Sequence, residues 1–262
     1  MTAPSAPPAL AAPPGRSAIR ILASHPSTND AAMAWGRRGA PDGACVVADR
    51  QTAGRGRQGR RWHSPPGRNL YASLVVRCAP ARAGLLSLLG ALVVRDAVAA
   101  LLADGDGACI KWPNDVLVDG RKLAGVLAEW VTGPAAFGVV GMGLNVNGEG
   151  CDLPAGLRWP AITLQQALGR PVDRSALLAD LLERFDRWRG RLDTAPAAVV
   201  AALRRHCSTL GRRVRVSPPA AAAYTGLARD LDTSGHLLVR TEQERDERVW
   251  AGDVDLLPAG SD

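Results

Sequence analysis

Two short stretches carry residue types whose spacing suggests chemistry. Between Ala48 and Ser73, Gly54, Gly56 and Gly59 are interleaved with Arg55, Arg57, Arg60 and Arg61. Glycine lets backbone N–H groups approach a ligand and guanidinium groups supply charge, so the stretch reads as a loop that holds an anion. It also matches G-x-G-x-x-G, but a dinucleotide turn needs a helix directly behind it and an acidic residue about 20 positions on. Here Pro65 and Pro66 break the helix start and the acid is missing. A long loop between strands is therefore expected, with a solvated Arg/Gly tract or an RNA-binding tract as the other reading.

The second stretch runs from Cys109 to Glu129. Of 32 basic residues only Lys111 and Lys122 are lysines, and both fall here. Asp119-Gly120 between two apolar runs is a strong hairpin signal. A two-residue turn sets Val118 opposite Arg121, Leu117 opposite Lys122 and Asp115 opposite Ala124. Asp115 and Lys122 then project from one face as diagonal neighbours, a carboxylate beside an ammonium. A surface salt bridge would look the same. The Pro113-Asn114 break ahead of the strand puts polar groups at its mouth. Gly141 and Gly143, inside an apolar run that leads to Asn145, mark a place where a ligand or another backbone comes close.

The elements that must carry these residues follow from periodicity. Ala18–Leu22 reads as a first strand, and Ser27 with Asp30 as a helix cap with an acidic partner. Cys45–Ala48 reads as a strand delivering the chain into the arginine loop, Leu70–Arg77 as a strand and Leu85–Ala103 as a core helix. Phe137–Val140 reads as a buried strand. Thr163–Leu168, Ser175–Arg189 (capped by Ser175) and Pro196–Cys207 read as helices. Beyond Arg213, four or five short strands over about fifty residues predict a small β-barrel: Val214–Val216, Tyr224–Asp230, His236–Arg240 and Val249–Leu256. The expected division is a disordered Ala/Pro-rich tail over 1–16, a catalytic domain over 17–210 and a barrel domain over 211–262.

Composition bounds the function. The 262 residues are 47% hydrophobic and 22% charged, as in a soluble globular protein. The net charge of +7 comes from arginines spread along the chain, and aromatic residues are only 4%, which argues against a nucleic-acid footprint. Five scattered cysteines without C-x-x-C spacing indicate neither zinc nor a disulfide framework, and a reduced, cytoplasmic protein is expected. The N-terminus lacks a signal-peptide pattern, and Arg95 and Asp96 interrupt the one long apolar segment, so no membrane association is expected.

Taken together, Ser27-Thr28-Asn29, Gln51 through Arg57, Lys111-Trp112-Pro113-Asn114-Asp115, Arg121-Lys122-Leu123-Ala124-Gly125 and Gly141-Met142-Gly143-Leu144-Asn145 resemble the biotin protein ligase family, the biotin–[acetyl-CoA carboxylase] ligases. All five motifs stand in the family's order, and the likeness extends to Ala251-Gly252-Asp253-Val254. The resemblance implies an α+β fold: a class II synthetase-like mixed sheet with flanking helices, then an SH3-like barrel. It implies activation of biotin with ATP to biotinyl-5′-AMP and transfer to a lysine of a biotin carrier domain. With no helix-turn-helix ahead of Ser17, a monofunctional ligase without nucleic-acid binding is expected.

Carried over motif by motif, Ser27, Thr28, Asn29 and Gln51 bond the ureido ring, and Gly54, Arg55, Gly56 and Arg57 close over biotin. Lys122 holds the biotin carboxylate and the α-phosphate and, with Arg57, is the expected catalytic group. Arg57, Arg60, Trp62, Lys111, Asn114, Asp115 and Asn145 line the ATP side, Lys111 either as a second phosphate contact or as a structural lysine, Asp115 by way of Mg²⁺, with Trp159 at the adenine. Joining two anions by positioning and cationic stabilisation needs no covalent nucleophile. The arginine loop is expected to be mobile until biotin or the adenylate orders it. A lipoate ligase of the same fold, a regulatory protein and a non-catalytic biotin-binding module remain alternatives, as does a homodimer through the sheet edge.

Overall fold

The computed structural model describes residues 9–103, 107–148, 153, 159–219 and 221–258. Its centre is a seven-stranded sheet: β1 (Ile19–His25), β2 (Cys45–Gln51), β3 (Leu70–Val76), β4 (Ala108–Lys111), β5 (Asp115–Val118), β6 (Arg121–Val131) and β7 (Phe137–Leu144). Their order across the sheet is β1-β2-β3-β7-β6-β5-β4. Only β1 and β2 run parallel; the other neighbours are antiparallel.

Strand alternation sends side chains to two faces, and both are covered. Helix α1 (Thr28–Arg37) packs on one face, where Ala32 meets Val46, Val75, Phe137 and Val139. On the other, Cys45, Val47, Leu74, Val76 and Val140 join a larger core with α2 (Leu86–Ala99), α4 (Arg174–Thr194) and α5 (Pro196–His206); α3 (Leu164–Leu168) adds Leu164. Twelve of the fourteen residues of α2 are buried, which accounts for an apolar run too dense to show one wet face.

A second, five-stranded antiparallel sheet follows: β8 (Arg213–Ser217), β9 (Tyr224–Leu231), β10 (Leu237–Thr241), β11 (Asp246–Val249) and β12 (Asp253–Leu256), in the order β11-β10-β9-β8-β12. It is joined to the first body by buried polar contacts. Trp112 Nε1 donates to Gly235 O at 3.0 Å, and Thr209 Oγ1 accepts from Trp112 N at 2.9 Å.

Several local expectations change. The segment read as one strand, Val249–Leu256, is two strands divided at Trp250–Gly252, where Gly252 has φ +124° and lies against Ser217. Helix α4 is capped by Asp173, whose carboxylate accepts from Ser175 N and Ala176 N, rather than by Ser175. Ser27 occupies the N-cap position of α1 without a side-chain capping bond, and Asp30 instead pairs with Arg55. Of the expected tail, residues 1–8 lie outside the described residues. Residues 9–16 are docked: Arg16 pairs with Asp186 at 2.6 Å, Ser175 Oγ accepts from Ala11 N, and Leu10 packs on the core. An ion pair and an apolar anchor within eight residues outweigh the Ala/Pro composition there. The four described cysteines are free thiols, Cys151 lying outside the described residues. Among the described residues no helix is long and apolar enough to cross a membrane.

Candidate active site

The site is built on the α1 face of the sheet, where two rows of paired residues form its floor. Ser73 sits opposite Gly141, which sits opposite Leu127; one step along, Tyr71, Gly143 and Gly125 form the next row. Side chains on the central strand β7 would fill this space. A Cβ on Gly141 would stand 2.0 Å from Asn29 Oδ1, and one on Gly143 would stand 2.5 Å from Trp62 Nε1. The glycines predicted to admit a ligand or backbone thus admit two side chains, and a cleft opens where the sheet would otherwise be covered.

The hairpin forms at Asp119 (φ +50°) and Gly120 (φ +70°), with Val118 opposite Arg121 and Leu117 opposite Lys122 as expected. A register shift follows, so that Asp115 pairs with Gly125 and not Ala124. One extra residue on β6 bends the strand and aims its side chains differently. Lys122 is held from behind, its N–H donating to Pro160 O and its carbonyl accepting from Ile162 N. Its Nζ lies 2.7 Å from Asp115 Oδ1. The approach is off the line of a directed hydrogen bond, so Asp115 Oδ1 has an ionic neighbour yet no well-aligned donor. Trp62 lies over the same ammonium, 5.5 Å from ring centroid to Nζ, with its own Nε1 buried and unpartnered.

The arginine loop leaves β2, makes a tight turn closed by Gly56 N to Arg60 O (2.6 Å) and Trp62 N to Gly54 O (2.9 Å), and returns through Ser64. Ion pairs pin it on both sides. Arg55 reaches Asp30 (2.7 Å) and Glu129 (2.8 Å), and Arg60 reaches Asp253 (2.6 Å) at the start of β12. Arg57 donates to Asn114 Oδ1 and to Gly252 O, and burial lowers its guanidinium pKa from the ordinary value.

The cleft holds about 870 Å³, within the range that takes a large cofactor-sized ligand. All the expected site residues line it: Ser27, Thr28, Asn29, Gln51, Gly54, Arg55, Gly56, Arg57, Arg60, Trp62, Lys111, Asn114, Asp115, Lys122, Asn145 and also Trp159. One end is neutral and polar. There Gln51 Oε1 accepts from Thr28 N (2.8 Å) and lies 3.1 Å from Thr28 Oγ1, while Gln51 Nε2 donates to Ser64 Oγ. Ser73 Oγ lies 2.7 Å from Thr28 Oγ1 and 2.6 Å from Asn29 Oδ1. The other end is cationic, with Arg57, Arg60, Lys111 and Lys122 around Asp115.

Some of these side chains are already engaged by the protein. Asn29 donates to Leu127 O and Glu129 Oε2, so both of its N–H groups are used. Asn114 donates to Val126 O, and Lys111 donates to Val254 O at 2.7 Å with its Nζ 5.0 Å from the Trp159 ring centre. Lys111 thus ties the second sheet to the cavity wall. Sequence reading missed Ser64, Ser73, Glu129 and Asp253. The only signal for the serines was their place in strand and loop patterns; Asp253 stands in the Ala251–Val254 motif, to which no site role was given, and Glu129 belongs to no polar motif of its own.

Residues 21–147 match the Biotin/lipoate A/B protein ligase family, and residues 209–257 match the Biotin protein ligase C terminal domain. Over 245 residues the chain is 39% identical to the Biotin–[acetyl-CoA-carboxylase] ligase of Mycobacterium tuberculosis, covering 90% of this chain and 88% of that one. It is 33% identical over 235 residues to the Bifunctional ligase/repressor BirA of Bacillus spizizenii, covering 88% of this chain and 71% of that protein. Among solved structures, the biotin protein ligase from Aquifex aeolicus in complex with biotin and ATP superposes with a TM-score of 0.72 at 27% identity, covering 92% of this chain and 99% of that chain.

Proposed function

This chain belongs to the biotin protein ligase family, and we propose on that premise that it activates biotin with ATP to biotinyl-5′-AMP and transfers biotin to a lysine of a carrier domain. The observation that carries the reading is the polarity of one cavity. A neutral donor and acceptor set at Ser27, Thr28 and Gln51 stands at one end and a cationic set at Lys122 and Arg57 at the other, as a ligand with an amide-like ring and a carboxylate requires.

The ureido ring lies at the neutral end, where Ser27 Oγ and the second N–H of Gln51 Nε2 are open to it. The valeryl carboxylate meets Lys122, whose ammonium draws the carboxylate and the α-phosphate of ATP together. As the carboxylate oxygen bonds to phosphorus and pyrophosphate leaves, negative charge grows on the phosphate oxygens. Lys122 and Arg57, already in place, stabilise it without reorganisation. Asp115 holds Lys122 in position. Magnesium would enter with the nucleotide: no group of three metal-ligating side chains stands together among the described residues. Asp115, with its poorly saturated Oδ1, is the carboxylate that could reach the ion while phosphate and water supply the rest. Arg60, Trp62, Asn145 and Trp159 face the nucleotide. The loop from Gly54 to Trp62 closes over both substrates and excludes water from the mixed anhydride.

In the test, the protein is incubated with biotin, MgATP and an apo biotin carrier domain and the carrier is probed with avidin. ATP-dependent label establishes the ligase. Biotin bound without label leaves a binding module, and label abolished by excess lipoate would favour the lipoate alternative.

A further inference from the structure

We infer that Glu129 is a positioning residue that joins the two halves of the ring-binding end, holding the first turn of α1 and the arginine loop on one carboxylate. Its Oε2 lies 2.7 Å from Asn29 Nδ2 and 2.8 Å from Arg55 Nη2. Asn29 is 4% exposed, and its amide is fully taken up by Glu129, Leu127 O and Ser73. It therefore serves the ligand by fixing Ser27 and Thr28, which directly precede it. Arg55 belongs to the loop and also reaches Asp30 of α1.

Glu129 stands behind the site. On β6 it lies opposite Val139, on the same face as Leu127 and Gly125. It borders a second cavity of about 500 Å³, bounded by residues of the loop from Ala53 to Arg61 together with Leu127. It does not line the cavity that takes the substrates, so it acts only through Asn29 and Arg55. An exposed ion pair alone would contribute little. The buried amide makes the difference, because without Glu129 a donor of Asn29 is left unsatisfied beside Ser27 and Thr28. The consequence is that ring binding and loop closure depend on one group.

This rests on the ligase reading above, and the experiment separates the two. Glu129→Gln keeps an oxygen for Asn29 but loses the charge facing Arg55; Glu129→Ala loses both. Three quantities are measured on the full chain: biotin affinity, ATP affinity without biotin, and the rate of tryptic cleavage within the loop of the free protein. We expect Gln to speed cleavage severalfold while weakening biotin by less than about threefold. Ala should speed cleavage and weaken biotin by about tenfold, the effect of one charge-assisted hydrogen bond. ATP affinity should stay within about twofold of wild type. Wild-type cleavage in the Gln variant, wild-type biotin affinity in the Ala variant, or ATP affinity falling in step with biotin affinity would each overturn the inference. Wild-type protein that binds no biotin would remove the ligase reading and this inference with it.

Discussion

Lys122→Ala removes the ammonium that faces Asp115 at 2.7 Å and leaves the strand geometry intact, since Lys122 is held by backbone bonds to Pro160 and Ile162. Its side chain is 26% exposed and that of Asp115 17%, so the pair is neither in bulk water nor in a dry core. For the ammonium and a phosphate oxygen of the transition state, taken as unit charges about 4 Å apart at an effective dielectric near 20, the interaction is about 4 kcal/mol. If that difference appears fully in the transition state, adenylation slows about a thousandfold. Loss of a single preorganised stabilising group commonly costs about 10² to 10³ in rate, which brackets the same value. The assay is biotin-dependent pyrophosphate release under saturating ATP, with biotin binding measured separately. Lys122→Arg should recover only part of the rate, because a planar guanidinium cannot take the place of a compact ammonium beside Trp62. Pyrophosphate release by Lys122→Ala within about tenfold of wild type would refute the assignment, since Arg57 alone would then carry the charge.

Two predictions concern the frame. Gly141→Ala places a Cβ 2.0 Å from Asn29 Oδ1 in a buried setting, so we expect about 1–3 kcal/mol of destabilisation. This lowers the melting temperature by about 2 to 10 °C and costs biotin affinity as well; an unchanged melting temperature in calorimetry would show that the α1 contact is slack. In the second sheet, burial works to raise the Asp232 carboxyl, but hydrogen bonds from the N–H groups of His236 and Ser234 outweigh it and hold the pKa below its ordinary value. Its stabilising contribution is therefore present above about pH 4 and lost as pH falls through the depressed folded value. Asp232→Asn should narrow the difference in stability between pH 6 and pH 3, and equal acid sensitivity in the two proteins would count against it.

Those parts of the site that depend on chain-local chemistry were legible in the sequence. Asp119-Gly120 specifies its turn because both positions need positive φ, and the pairing of Leu117 with Lys122 followed from it. The register shift beyond that pair was not legible, because a bulge is set by how β6 meets both β5 and β7. Asn29 illustrates the same limit. Its motif marks it as polar and near the ligand, yet its two N–H groups are assigned by residues about 100 positions away, Leu127 and Glu129. Glu129 itself, following Ala128 in a strand, has no local pattern that would single it out. The cap of α4 was misplaced by two residues because Asp173 and Ser175 are both good caps and only the backbone decides between them.

Selectivity follows from how few polar groups at the ring end remain unengaged. Thr28, Asn29, Ser64, Ser73 and one N–H of Gln51 already bond one another across four segments of chain. Such a network is rigid, and a ligand must match the remaining donors rather than reorganise the frame. A long, flexible acid without a polar ring would meet the carboxylate requirement at Lys122 and leave the open donors at Ser27 and Gln51 buried without partners. On the proposed ligase reading that penalty, more than any repulsion, would separate biotin from lipoate, since a site built to hydrogen-bond one ligand rejects its unmatched analogue strongly. Discrimination should therefore weaken far more on changing Gln51 than on changing any cation of the loop.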